Sequence, residues 1–145
     1  MADLLALERW CNALPDQIDK AANTLAVTVT QTMGDDLVDH TPVDTSEAES
    51  NWQASVNGAP GFPLPPIYPG ERGSTAAQSA REAKAHIARA LKDKDPGVPV
   101  WLSNVAEHIV DLNNGTSKQE PAGFVERGIR VGELKADSTG LEIKA

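Results

Sequence analysis

Three kinds of residue in this 145-residue chain could do chemistry: one cysteine, three histidines and an acidic run near position 36. Cys11 would need a general base to become a nucleophile, and the fold would have to assemble that thiol–imidazole pair. His40, His86 and His108 are scattered, and no nucleophile elbow or other local signature surrounds Cys11. It reads as a small packed side chain on an amphipathic helix. Asp36 and His40 stand four apart, on one helical face, with Asp35 and Asp39 alongside, so they would begin a metal site. The second histidine of an HExxH-type helix is absent, and the plain reading is a solvated acidic helix end. The turn GERGST (70–75) opens a helix, where free N–H groups hold anions. It lacks the Gly-Lys-Ser/Thr ending of a phosphate loop, so it reads as a hinge with Ser74 as the helix cap. Glu107 with His108 or Asp111 can be drawn as an acid–base pair, but nothing in the spacing separates them from ordinary surface charge. The expectation is no catalytic set, no metal and no cofactor.

The elements that would position these residues are mostly helical. In ADLLALERWCNAL, Leu4, Leu5, Trp10 and Leu14 fall at helical spacing, and Pro15 ends that run or opens the next helix. From there Ile18, Ala22, Leu25, Val29 and Met33 step by three and four to about Asp39, and Pro42 stops the helix. The alternation in AVTVTQT also fits a strand; length and the longer period favour helix. DTSEAESNWQASVNG reads as a turn and then a strand, with Trp52, Ala54 and Val56 on one side. Residues 58–73 are so dense in Pro and Gly that no regular element survives, which leaves a long extended loop carrying Phe62, Leu64, Ile67 and Tyr68. A loop of that length with apolar residues suits docking. A helix over 74–94 follows, with Ala80, Ala83, Ile87 and Leu91 as a narrow apolar stripe. Asp95-Pro96-Gly97 terminates it, and VPVWLSNV is a second strand with Val98, Val100 and Leu102 inward. Trp52 and Trp101 are expected in the core on adjacent strands. A last helix starts near Pro121 and runs through Phe124, Val125 and Ile129 toward Leu134. The fold class expected is α+β, a single domain of long helices packed on a small, mostly antiparallel sheet. Residues 1–14 form a helical extension and 136–145 a flexible or partner-ordered tail.

Composition narrows the partners. The net charge is −8, from 21 acidic and 13 basic residues, which argues against gripping phosphate but not against a wall that DNA slides past. Aromatics make up 4%, too few for a base-stacking platform. A lone cysteine excludes an intrachain disulfide, and no apolar run approaches the ~20 residues of a membrane span. MADLLALERW has no basic leader and no long apolar core, so the expectation is a soluble protein made without a secretory signal.

Three stretches, TPVDTSEAESNWQASV (41–56), VWLSNVAEHIVDLNNGTSKQ (100–119) and PAGFVERGI (121–129), share an order and similar gaps with a known family. Together they resemble the tail-completion proteins of long-tailed bacteriophages, small neck proteins made near the connector and the tail terminator. The pattern there is a Thr-Pro-Val-Asp-Thr-Gly turn followed by Asn/Ser-Trp, then a strand with Asn, then Ser-Lys-Gln-Ala-Pro-Ala-Gly and a final helix. The resemblance covers roughly residues 15–132. Here Ser46 replaces the turn glycine, VAEHIVDLNNG replaces a segment containing Leu-Pro-Tyr-Ala, and Glu120 replaces an alanine.

The resemblance implies a structural role: copies forming a ring, expected to be hexameric, that completes the head-proximal end of the tail and joins it to the head. Its partners would be the tail terminator or tube proteins and the head connector or stopper. DNA would pass through without specific binding, past acids lining part of the channel, and no membrane would be involved. The location would be the virion neck, assembled in the host bacterial cytoplasm. Expected subunit or partner contacts are Phe62, Leu64, Ile67, Tyr68, Asn114, Ser117, Lys118, Gln119, Pro121, Phe124, Arg127 and Arg130. Phe124 and Val125 would equally serve to close the chain's own core. Thr41, Pro42, Asp44 and Thr45 are expected to form a structural turn with local backbone bonds. The alternatives are a tail terminator or head-closure protein of the same neck, a small metal-dependent hydrolase built on Asp36, His40, Glu107 and His108, and an acidic regulatory module of the toxin–antitoxin kind.

Overall fold

The computed structural model describes residues 3–143. In chain order the elements are α1 (Leu4–His40), α2 (Glu47–Ser50), β1 (Trp52–Ser55), α3 (Ala76–Leu91), β2 (Trp101–Asn104), α4 (Ile109–Asn113) and α5 (Phe124–Thr139). The architecture is α+β: long helices around a two-stranded antiparallel sheet in which Trp52 lies opposite Asn104 and Ser55 opposite Trp101.

α1 is one helix of 37 residues, not two. Pro15 sits inside it. A proline there withholds one N–H from the carbonyl four residues back, on Cys11. Both residues are exposed, so water can take up the freed carbonyl. The AVTVTQT stretch is helical, and two of its three threonines satisfy their hydroxyls along the helix. Thr30 Oγ1 donates to the Ala26 carbonyl at 2.8 Å, and Thr32 Oγ1 to that of Thr28 at 2.8 Å.

The core is the seam where α1, α3, α5 and β1 meet. Leu37 and Val38 from α1, Trp52 from β1, Ala83, Ile87 and Leu91 from α3, and Phe124 from α5 are all buried. The Ala80–Leu91 stripe therefore packs as the spacing predicts. Three glycines allow the close helix approaches. A Cβ on Gly34 would come within 2.8 Å of Ile87 Cδ1, and one on Gly128 within 2.5 Å of Leu37 Cδ2. A Cβ on Gly132 would collide with the terminal methyl of Met33. At its far end α3 is tied to α1 through Lys94, whose Nζ donates to Asn23 Oδ1 at 2.6 Å while Asn23 Nδ2 donates to the Lys94 carbonyl at 3.0 Å.

Several boundaries differ from expectation. α3 begins after Thr75, and Ser74 is not its cap; its hydroxyl accepts the Glu71 N–H instead. α5 begins at Phe124, so Pro121 lies outside its first turn. What holds the start of α5 is Asn113, the last residue of the unforeseen α4. Its Oδ1 accepts the Val125 N–H at 2.9 Å, its carbonyl accepts the Gly123 N–H at 2.8 Å, and its amide donates to both Glu126 oxygens. Those amide bonds hold the Glu126 carboxyl below the usual carboxylate range. Gly123 makes the reversal at φ 87, a left-handed conformation that suits glycine. Residues 136–139 belong to α5 and not to a tail, and 144–145 lie outside the described residues, as do 1–2. Trp101 is 39% exposed and is not a core residue, because it lies opposite Ser55 on the face of the strand pair turned away from Trp52, Ala54 and Leu102, which pack on the core. Ile129 and Leu134 are exposed as well; the buried face of α5 is Phe124, Gly128 and Gly132.

Candidate functional site

The segment from Thr41 to Trp52 is the junction through which the irregular parts of the chain are held. Thr41 Oγ1 donates to the Leu37 carbonyl at 2.6 Å and accepts the Trp52 indole N–H at 2.7 Å, so one buried hydroxyl fastens the end of α1 to β1. The Asp44 carboxylate accepts the Arg72 N–H at 2.8 Å, and its carbonyl accepts that of Gly73 at 2.8 Å. Asp44 thus bonds 28 residues away rather than locally, and Thr45 makes no side-chain hydrogen bond among the described residues. Ser46 takes the left-handed conformation, φ 67, where the resembled pattern has glycine, and its hydroxyl meets that of Thr75 at 3.1 Å.

The long loop is pinned by side chains instead of secondary structure. Asn51, fully buried, grips Leu64 at both ends of its backbone: Nδ2 donates to the Leu64 carbonyl at 2.9 Å and Oδ1 accepts the Leu64 N–H at 2.7 Å. Ser50 Oγ accepts the Ile67 N–H at 3.0 Å, and Thr75 Oγ1 donates to the Tyr68 carbonyl at 2.6 Å. Ile67 packs on the core. Between these anchors Tyr68 is exposed, and Phe62 stands 83% exposed at the loop tip.

Gln119 closes the junction from the other side. Its Oε1 accepts the Val43 N–H and its Nε2 donates to the Val43 carbonyl, both at 2.9 Å, the pairing a neighbouring strand would make. Ser117 Oγ in turn accepts the Gln119 N–H at 3.1 Å. The structure therefore brings Pro42, Asp44 and Thr45 together with Ser117 and Gln119, around a cleft of about 380 Å³ that His108 also borders. Lys118, Asn114 and Pro121 are exposed beside it. Arg127 is paired with Glu120, and Arg130 with Glu133 at 2.9 Å. Phe124 is the correction: it is fully buried in the chain's own core, leaving no surface for a partner.

A second cleft, of about 420 Å³, shares Val43 and Gln119 with the first and holds the one carboxylate that sequence reasoning missed. Glu49 is 3% exposed, and its Oε2 has no hydrogen-bond partner. Burial pushes its pKa up to about 7; Asp39 adds to the rise and Lys84 opposes it. Lys84 is itself bound to Asp39 at 2.6 Å. Nothing in SEAES distinguishes Glu49 from its exposed-type neighbours, since burial here comes from α3 packing over α2.

Among the described residues no three of His, Cys, Asp and Glu gather as a metal-holding group. His40 Nδ1 bonds the Asp36 carbonyl at 2.8 Å within the same helix. Cys11 is exposed rather than packed. No described helix is long and apolar enough to cross a membrane. No family model, curated protein or solved structure matches the chain. The arrangement is that of a bonded scaffold presenting a loop, with clefts lined by backbone clasps and few free reactive groups.

Proposed function

We propose that the chain is a structural subunit of a bacteriophage neck, a tail-completion protein whose copies form a ring between head and tail. The observation that carries this reading is how the three resembling stretches interlock. β1 and β2 pair, Gln119 clasps Val43, and Asn113 starts α5, so the stretches act as one scaffold. That scaffold holds the 58–73 loop at Leu64, Ile67 and Arg72 while Phe62 points its ring at solvent. An apolar anchor on a held loop suits a heterologous ring contact, in which one patch fits a different patch on the next copy. The net charge of −8 suits a channel that DNA passes without sticking.

The test is mass by light scattering, alone and mixed with the tail-tube or terminator protein encoded beside it. Mixed with that protein, wild type should be recruited onto tail ends as a ring of subunits. Phe62→Ser, which touches no core residue, should keep its unfolding midpoint and lose that assembly. A chain indifferent to both partners would overturn the assignment.

A further inference from the structure

α1 carries a second pattern that the fold does not use up. Leu4, Leu7, Cys11, Leu14, Ile18, Ala21 and Leu25 recur at alternating steps of three and four, the a/d seam of a two-stranded coiled coil. The chain covers only one end of this seam. α5 runs beside α1 and stops at Thr139, where Thr139 and Gly140 flank Ala21 and Leu25 across an open cleft. Below that point Leu4, Leu7, Cys11 and Ile18 are exposed. At 1.5 Å per residue the helix is roughly 55 Å long, so the bare segment is a helical arm of about two heptads extending past α5.

We infer that residues 4–21 of α1 pair antiparallel with the same segment of a second copy of this chain. The flanking residues decide the orientation. With Leu4, Cys11 and Ile18 at a, the g positions are Asp3, Trp10 and Gln17, and the e positions are Glu8, Pro15 and Ala22. A parallel, in-register pair sets g against the e residue five further on, which brings Asp3 against Glu8 twice by symmetry. Like charges so placed repel. An antiparallel pair sets e against e and g against g, so Glu8 meets Pro15 of the second copy and Trp10 meets Gln17, with no like-charge contact. The seam then interlocks a against d: Leu7 on Ile18 of the second copy, Cys11 on Leu14, and Leu4 on Ala21. The two helix dipoles also oppose, which favours this orientation. A twofold pair is a different contact from a cyclic ring, so this dimer belongs to the free protein and does not rest on the neck reading.

The experiment is sedimentation or light scattering of the purified full chain at high micromolar concentration, with cysteine crosslinking. Wild type should weigh twice its 15.4 kDa and Leu7→Glu should fall to the single-chain mass. At dilutions where wild type is also monomeric the two should share one unfolding midpoint, since Leu7 is exposed within the chain. A short bismaleimide should couple wild type through Cys11, near the centre of the pair. In a Cys11→Ser background, Asp3→Cys should remain uncoupled, because antiparallel pairing places the two positions at opposite ends. A monomeric wild type, an oligomer that survives Leu7→Glu, a mass other than the dimer's, or coupling through Asp3→Cys would each overturn the inference.

Discussion

Replacing Glu49 by Gln should make the protein more stable at pH 8 and leave it nearly unchanged at pH 4.5. Glu49 is buried, with Oε2 unpartnered, and its pKa is about 7 against an ordinary value of 4.5. A raised carboxyl pKa means the folded state holds a proton that the unfolded state has released. The penalty is absent below 4.5, grows as pH rises through the interval, and is complete above about 7. At roughly 1.4 kcal/mol per pH unit, that interval amounts to about 3 kcal/mol, on the order of a fifth to a half of a typical domain's stability. Gln keeps the shape of the protonated acid and cannot ionise. Urea unfolding of both proteins between pH 4.5 and 8.5 gives two stability curves, and in their difference the three histidines and the other acids cancel. The difference should be flat near pH 4.5, open steadily and level off above 7. Lys84→Met should widen it, since Lys84 is the cation that holds the Glu49 pKa down. Parallel curves across the whole range would show that Glu49 is solvated in the folded protein, and the reasoning would fail.

Other substitutions test the packing and the junction. Gly128→Ala should destabilise by about 1–2 kcal/mol, because the new methyl meets the buried branch of Leu37 and the strain exceeds the ~1 kcal/mol helix gain of alanine over glycine. Gly132→Ala should be neutral or stabilising by up to about 1 kcal/mol, since the Met33 thioether end can swing away; equal effects at the two sites in thermal melts would contradict this account. Asn51→Ala removes three hydrogen bonds, to Glu47 and to both ends of Leu64, and should cost about 2–3 kcal/mol while making the 58–67 segment cleavable by protease well below the unfolding midpoint. Thr41→Val leaves the Trp52 indole N–H buried without its partner and should cost about 1–3 kcal/mol in urea unfolding.

Period and punctuation made most of the helices legible. The Ala83–Ile87–Leu91 stripe and the α+β class follow from spacing, while of the strand read over VPVWLSNV only Trp101–Asn104 pairs. The misreadings have separate physical causes. Pro15 looked like a break because local rules ignore that an exposed helix can hand one carbonyl to water. α5's buried face escaped notice because it is written in glycine: Gly128 and Gly132 carry no hydrophobic signal, so Ile129 and Leu134 seemed to mark the inward side. At the junction, the Thr41–Thr45 turn was visible, but Asp44 bonds Arg72 and Gly73 instead of its neighbours, and an Asn51 that grips Leu64 looks like any other asparagine before the fold closes. Glu49 is the extreme case, since its environment is made by distant parts of the chain, α3 packing over it and Asp39 at the end of α1.

The way the loop is hung has a consequence for how this chain can change over generations. Its anchors lie at Leu64, Ile67, Tyr68 and Arg72, and they bind backbone atoms through Asn51, Ser50, Thr75 and Asp44. The side chains of Leu64, Tyr68 and Arg72 are therefore freer to drift than the residues that hold them, whereas that of Ile67 is also fixed by the core. From 56 to 63 the described hydrogen bonds reduce to one, the Asn57 N–H to Ser55 Oγ. Mutation, insertion or exchange within that stretch leaves the junction intact, so a lineage can rewrite its loop tip without first repairing its fold.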